Sequence, residues 1–111
     1  MNLEQQVTNL EISKKLKELG VDAPAMFWWR EEQGEWTVGQ TVTMLPAFTV
    51  AELGEMLPVF VGTEWLQIQL NRSGDYWMVF YGDGQPKMER EKHLANAVGK
   101  MLINLIENKL I

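Results

Sequence analysis

The segment between residues 65 and 81 constrains the fold of this chain more than any other part. From residue 65 to 70 aliphatic side chains alternate with glutamines and share one side: Leu66, Ile68 and Leu70. Turn-forming residues follow at Asn71–Asp75, and then a run that is apolar on both faces, Tyr76–Tyr81. This pattern predicts an antiparallel hairpin whose second strand is central in a sheet or covered on both sides.

An earlier segment predicts a second hairpin. The run Ala25–Trp29 is short and rich in aromatic residues, which favours a strand over a helix. We expect a turn at Glu32–Glu35 and a returning antiparallel strand at Glu35–Val38. The stretch Thr41–Leu45 is expected to be extended as well.

Two helix starts carry the capping-box pattern, in which a threonine and a glutamate three residues later satisfy each other's backbone amides. Thr8 with Glu11 predicts a first helix that ends at Gly20, where glycine accepts a left-handed conformation. Thr49 with Glu52 predicts a second helix that ends before the proline at position 58.

The C-terminal region predicts a long helix from about Lys87 to Lys109, with a broad apolar side. Gly99 inside it suggests a close contact between this helix and a sheet. The predicted order is therefore α-β-β-α-β-β-α, in one domain over residues 1–111. An α+β fold with an antiparallel sheet of about four strands and helices on one face buries these apolar stripes.

Composition excludes several classes of protein. The chain has no cysteine, which rules out disulfide scaffolds, zinc–thiolate sites and thiol nucleophiles. The N-terminus lacks the pattern of a signal peptide, and no apolar run approaches the roughly 20 residues that span a bilayer. We therefore expect a cytoplasmic protein with no membrane partner and no cofactor.

The net charge of −5 is concentrated between residues 21 and 63. That segment holds Arg30 against six carboxylates: Asp22, Glu31, Glu32, Glu35, Glu52 and Glu55. An acidic patch disfavours phosphate backbones and favours basic partners, although it also serves as a solvated face that keeps a protein soluble.

Candidate catalytic groups are few. The single histidine, His93, lies among charged residues, which is typical of a solvated side chain. The carboxylate pairs Glu31 with Glu32 and Glu52 with Glu55 would form a metal or glycosidase site only if several elements converged there. We therefore predict no catalytic residue and no metal site.

Two further motifs do not support binding of nucleotides or nucleic acids. The Gly82-Asp83-Gly84 segment lacks the lysine and hydroxyl of a phosphate-binding loop, so we interpret it as a turn. The helix after Thr49 is acidic and has no lysine or arginine, whereas a recognition helix is basic. We therefore expect no nucleic-acid partner.

Tryptophan is the most suggestive residue type, because all five copies fall on predicted strands. Helices on one face of a sheet would leave the other face open, and alternation would place some indole rings there. Three interpretations remain: the rings fill the core, form a homodimer interface or bind another protein. We take six residues as a candidate interaction surface: Trp28, Trp36, Trp77, Glu31, Glu32 and Glu35.

Three blocks, Asn9–Val21, Ala47–Pro58 and Lys100–Lys109, resemble a family of small proteins of unknown function encoded in bacterial prophages and mobile elements. The resemblance implies a bacterial cytoplasmic setting and an accessory phage role, and it brings no activity, cofactor or catalytic residue. Small proteins of this class often act by binding proteins of the host or the phage.

We therefore expect a non-enzymatic interaction module that binds a host or phage protein and can also form a homodimer. One alternative is an acidic mimic that occupies a nucleic-acid-binding protein. The other is a small enzyme with a carboxylate site.

Overall fold

The computed structural model describes residues 2–82 and 87–111 and confirms an α+β fold with antiparallel strands. Its elements follow in the order α1 (Leu3–Gln6), α2 (Leu10–Glu18), β1 (Phe27–Glu32), β2 (Glu35–Gly39), β3 (Leu45–Ala47), α3 (Val50–Met56), β4 (Phe60–Val61), β5 (Glu64–Leu70), β6 (Trp77–Tyr81), β7 (Met88–Glu91) and α4 (Leu94–Glu107).

The strands form two antiparallel sheets, in the orders β2-β1-β3 and β4-β5-β6-β7. Both predicted hairpins are present, with Glu32 opposite Glu35 in the first and Leu70 opposite Trp77 in the second. The first hairpin does not join the second, because its free edge pairs with β3 instead. The two hairpins, predicted to share one sheet of about four strands, therefore belong to two separate sheets of three and four strands.

The C-terminal helix is shorter than predicted. Residues 88–91 form strand β7, which pairs with β6 so that Arg90 lies opposite Met78, and α4 begins only at Leu94. These residues include good helix formers, but pairing with β6 satisfies a row of backbone groups that would otherwise lack partners. The turn predicted at residues 82–86 lies, from Asp83 on, outside the described residues.

One of the two predicted capping boxes is confirmed. Thr49 N–H donates to Glu52 Oε1 at 2.9 Å, and Glu52 N–H donates to Thr49 Oγ1 at 3.2 Å. The prediction for Thr8 and Glu11 was wrong, because the N-cap of α2 is Asn9, whose Oδ1 accepts the Ile12 amide at 2.8 Å. The hydroxyl of Thr8 is buried and accepts the Phe48 amide at 3.1 Å.

The core consists of two clusters. The larger one packs helices α2, α3 and α4 against one face of the four-stranded sheet, with fully buried members that include Leu16, Phe48, Leu53, Val79, Tyr81 and Met101. The smaller one joins the N-terminal segment to the three-stranded sheet through Val7, Trp29, Leu45 and Ala47. One face of the four-stranded sheet is therefore covered by helices.

Gly99 marks a close contact between helices rather than the predicted contact between a helix and a sheet. A Cβ atom at this position would lie 2.8 Å from Ile12 Cγ2 in α2 and 2.9 Å from Thr8 Cγ2. Both distances are shorter than any ordinary contact, so glycine allows α4 to approach the start of α2.

Candidate interaction surface

The register of the four-stranded sheet separates its two faces. Trp77, Val79 and Tyr81 of β6 point toward the helices, where Val79 and Tyr81 are fully buried. Because side chains alternate along a strand, Met78 and Phe80 point to the opposite face. The residues paired with them, Gln67, Gln69, Met88 and Arg90, share that face. Alternation along β5 adds Trp65, and its partner on β4 is Phe60. We call this surface the open face and define it by Phe60, Trp65, Met78, Phe80 and Met88.

Two aromatic rings stand out on the open face. Phe60 and Trp65 lie opposite each other on β4 and β5, with ring centroids 6.2 Å apart and planes tilted by 42°. The two residues are 54% and 61% exposed, which is unusual for residues of this size. Met78, Phe80 and Met88 extend the patch as half-buried neighbours, and methionine adapts readily to the shape of a binding partner.

Polar groups border this apolar patch. The Arg90 guanidinium lies over the Tyr76 ring, 5.6 Å from the ring centroid, in a cation–π interaction. Gln67 lies beside the apolar residues, opposite Phe80, and its Nε2 donates to the Gly82 carbonyl at 3.1 Å. An apolar centre with a polar rim is the anatomy of a protein interface.

The structure distributes the three predicted tryptophans over different environments. Trp36 packs against the smaller core cluster, and Lys14 Nζ lies 5.1 Å from its ring centroid. Trp28 lies on the other side of the three-stranded sheet and donates from Nε1 to the Ala25 carbonyl at 3.1 Å. Trp77 faces the helices of the other sheet and packs against the larger core cluster. All three are half-buried, and they do not form one surface.

The three predicted glutamates lie together at the end of the first hairpin, where all are exposed. We call Glu31, Glu32 and Glu35 the acidic tip. Arg30 pairs with Glu32 at 3.1 Å and neutralises part of its charge. The register places Glu31 on the same face as Trp36, whereas Glu32 and Glu35 share the face of Trp28. The acidic tip is on a different sheet from the open face.

The remaining carboxylates considered for catalysis do not converge. Glu52 accepts hydrogen bonds from the amides of Thr49 and Met26, so its oxygens have structural partners. Glu55 is exposed on α3. Within residues 2–82 and 87–111, no group of three histidine, aspartate or glutamate side chains is placed to hold a metal ion.

His93 is the N-cap residue of α4, and its side chain makes no capping hydrogen bond. It lines a cleft of about 350 Å³ together with Trp77, Lys92 and residues at the start of α3. The described residues that line the cleft include no carboxylate, and a general base needs such a partner or a substrate within hydrogen-bond reach of the imidazole.

A larger groove of about 520 Å³ runs between α2 and α4. Its charges largely compensate one another: Lys15 pairs with Glu107 at 3.2 Å, and Lys100 pairs with Glu91 at 2.5 Å. The hydrogen bond that Lys100 donates to Glu91 raises the pKa of Lys100, and desolvation partly opposes this rise. Because these groups already have partners, the groove has the character of a surface salt-bridge network.

Three aromatic members of the open face were missing from the surface predicted from sequence: Phe60, Trp65 and Phe80. The signal was present for Trp65, since the alternation that groups Leu66, Ile68 and Leu70 places the preceding residue on the other side. Phe60 lies in a strand of two residues, which is too short for a periodic pattern.

Comparison of the chain with known protein families, with curated proteins and with solved structures finds no match. Among the described residues, no helix is both long and apolar enough to cross a membrane.

Proposed function

We propose that this protein is a non-enzymatic interaction module that binds another protein on its open face. The observation that carries the proposal is the exposed pair Phe60 and Trp65 on the face of the sheet that the helices leave uncovered. Large exposed aromatic residues with a polar border are the usual centre of a protein interface. We infer a partner with a largely apolar, uncharged contact surface.

The biological setting is part of the same proposal. The resemblance to small prophage-encoded proteins favours a bacterial cytoplasmic location and a host or phage protein as the partner. The open face is mainly apolar, with Arg90 opposite Met78, so its affinity would depend mainly on apolar burial and only weakly on salt.

The test compares three forms of the full chain as bait in nuclease-treated bacterial lysate: wild type, Trp65→Gln and Met44→Gln. Met44 is 51% exposed and lies outside the four-stranded sheet, so it is a matched control for loss of an exposed apolar side chain. We expect one protein to be retained by wild type and Met44→Gln and to be lost with Trp65→Gln. With the purified partner, Trp65→Gln should cost about 2 kcal/mol, or roughly 30-fold in Kd.

Two outcomes would overturn the proposal. Equal retention by all three forms would show that binding does not use the open face. The absence of any protein retained in stoichiometric amount would show that no partner docks there. Circular dichroism and urea unfolding of the variants verify that each remains folded.

A further inference from the structure

Strand β5 has a free edge along its second half. The neighbouring strand β4 pairs only with the first residues of β5, where Phe60 lies opposite Trp65 and Val61 opposite Glu64. A last backbone hydrogen bond joins Leu66 N–H to the Val59 carbonyl at 2.8 Å. Beyond it, the described residues place no strand against the outer edge of β5.

The backbone groups of Ile68 and Leu70 point to this edge. Because N–H and C=O groups of successive residues in a strand point alternately to its two neighbours, Leu66, Ile68 and Leu70 share one direction. The N–H of Leu66 points toward β4. The N–H and C=O groups of Ile68 and Leu70 therefore point to the same side, where they extend beyond the end of β4. Both residues are 44% exposed. We call these backbone groups the β5 edge.

The other sheet edges carry features that discourage pairing, whereas the β5 edge does not. Strand β7 has three charged residues among its four, β3 contains Pro46, β4 has only two residues, and β2 begins at Glu35 beside the acidic tip. Short strands, charges and proline are the usual protections of an edge. Residues 65–71 include neither a charged residue nor a proline, so this edge lacks these protections.

The β5 edge is complementary to itself. For a protein with a net charge of −5, association of two copies requires a contact without like charges, and residues 65–71 supply one. Glu64, at the start of the strand, pairs with Lys87 of the same chain at 2.7 Å. The carboxylate of β5 is therefore already neutralised, and two β5 edges can meet without repulsion between them.

We propose that two copies of this chain pair through their β5 edges, antiparallel, about a twofold axis at Gln69. In this register Ile68 of each copy lies opposite Leu70 of the other, and the two pairs exchange about four backbone hydrogen bonds. The twofold axis passes between the two Gln69 residues, perpendicular to the sheet. Because residues opposite each other in an antiparallel pair share a face, equivalent faces of the two copies lie on the same side. The four-stranded sheets join into one, with both open faces on the same side.

This inference extends the proposed function because it places two docking faces side by side, but the two can fail separately. Pairing uses backbone groups at the β5 edge, and partner docking uses side chains of the open face. A dimer that retains no partner would overturn only the proposed function. A monomer that retains a partner through Trp65 would overturn only the pairing.

The experiment measures the mass of the full chain by sedimentation equilibrium over a wide concentration range. We expect a reversible dimer, with slowed hydrogen exchange at the Ile68 and Leu70 amides as concentration rises. Ile68→Lys should weaken the dimer about 100-fold or more, because symmetry places the substitution twice in the contact. Val42→Lys is the matched control, since Val42 is 70% exposed on another part of the chain and the change in charge is the same.

Leu70→Pro provides an independent variant. Its N–H points to the edge, so proline removes a donor to the second copy without removing a hydrogen bond within the chain. We expect loss of the dimer with the fold retained by circular dichroism. A chain that is monomeric at every concentration overturns the proposal, as does a dimer that both variants leave intact. Capture of another protein by a monomeric chain through Leu70 would also overturn it, because the edge would then bind a different strand.

Discussion

The indole Nε1 of Trp29 donates a hydrogen bond to the carbonyl oxygen of Thr8 at 3.0 Å. This contact joins β1 to the segment that enters α2, and the surrounding polar groups are satisfied as well. Thr8 Oγ1 and Ser13 Oγ lie 2.7 Å apart, and Ser13 Oγ also donates to the Thr8 carbonyl at 3.1 Å. Around Thr8, a buried network connects the two core clusters.

Trp29→Phe should lower the free energy of unfolding by about 1–3 kcal/mol, because it removes one buried hydrogen bond and part of a well-packed side chain. Urea unfolding measures the effect. Trp28→Phe is the control, since Trp28 also donates from its indole but is only half-buried, and it should cost at most about 1 kcal/mol. Equal losses for the two variants would contradict a special role for the Thr8 network.

Gly99→Ala and Gly54→Ala should have opposite effects. Alanine is the better helix former by about 1 kcal/mol, and a Cβ at Gly54 meets only open space, so Gly54→Ala should be stabilising. At Gly99 the new methyl group would press on Ile12 and Thr8, whose β-branched side chains are buried and stiff. We expect a net loss of about 1–2 kcal/mol there. Thermal unfolding of the two variants separates the effect of side-chain packing from that of helix propensity. If both variants were stabilised, the close contact of Gly99 with α2 would be refuted.

Gln33→Asn should stabilise the first hairpin by about 0.5 kcal/mol. Gln33 and Gly34 form its two-residue turn with φ values of 53° and 82°, and asparagine tolerates this left-handed conformation better than glutamine. Gln40→Asn is a suitable control, because Gln40 is exposed and has no positive φ. No gain at position 33 relative to position 40 would argue against the turn geometry.

Stability should fall as pH rises above about 10. Burial raises the pKa of Tyr81 above its ordinary value of 10.0, and the hydrogen bond that Lys100 donates to Glu91 is the main cause that raises the pKa of Lys100 above 10.5. Both groups hold their protons more tightly in the folded chain. Their contributions are therefore complete below the unfolded pKa values and are lost as pH rises through the folded ones.

Tyr81→Phe tests this pH dependence through urea unfolding at a series of alkaline pH values. The variant should lose about 1 kcal/mol at neutral pH, since the Tyr81 hydroxyl donates to the Pro58 carbonyl at 2.6 Å. Its stability should then decline less steeply than that of wild type above pH 10. A parallel decline would show that another group controls alkaline unfolding.

Local sequence patterns predicted the elements that are stabilised by residues close to one another in the sequence. The Thr49 capping box, the turn at Glu32–Glu35 and the alternation of residues 65–70 each involve groups a few positions apart. A side-chain cap, a left-handed turn residue and a period of two each depend on residue types at short, fixed spacings, so the sequence shows them directly. These features were sufficient for the α+β class and for both hairpins.

Long-range pairing determined the remaining features. Residues 88–91 have the composition of a helix, and they form a strand because β6 offers unpaired backbone groups beside them. Alternation divided each strand into two faces, but it could not show which face the helices would cover, so Trp77 was predicted at a surface that Trp65 and Phe60 occupy instead. Burial depends on which elements pack together in three dimensions, and residue spacing along the chain carries little of that information.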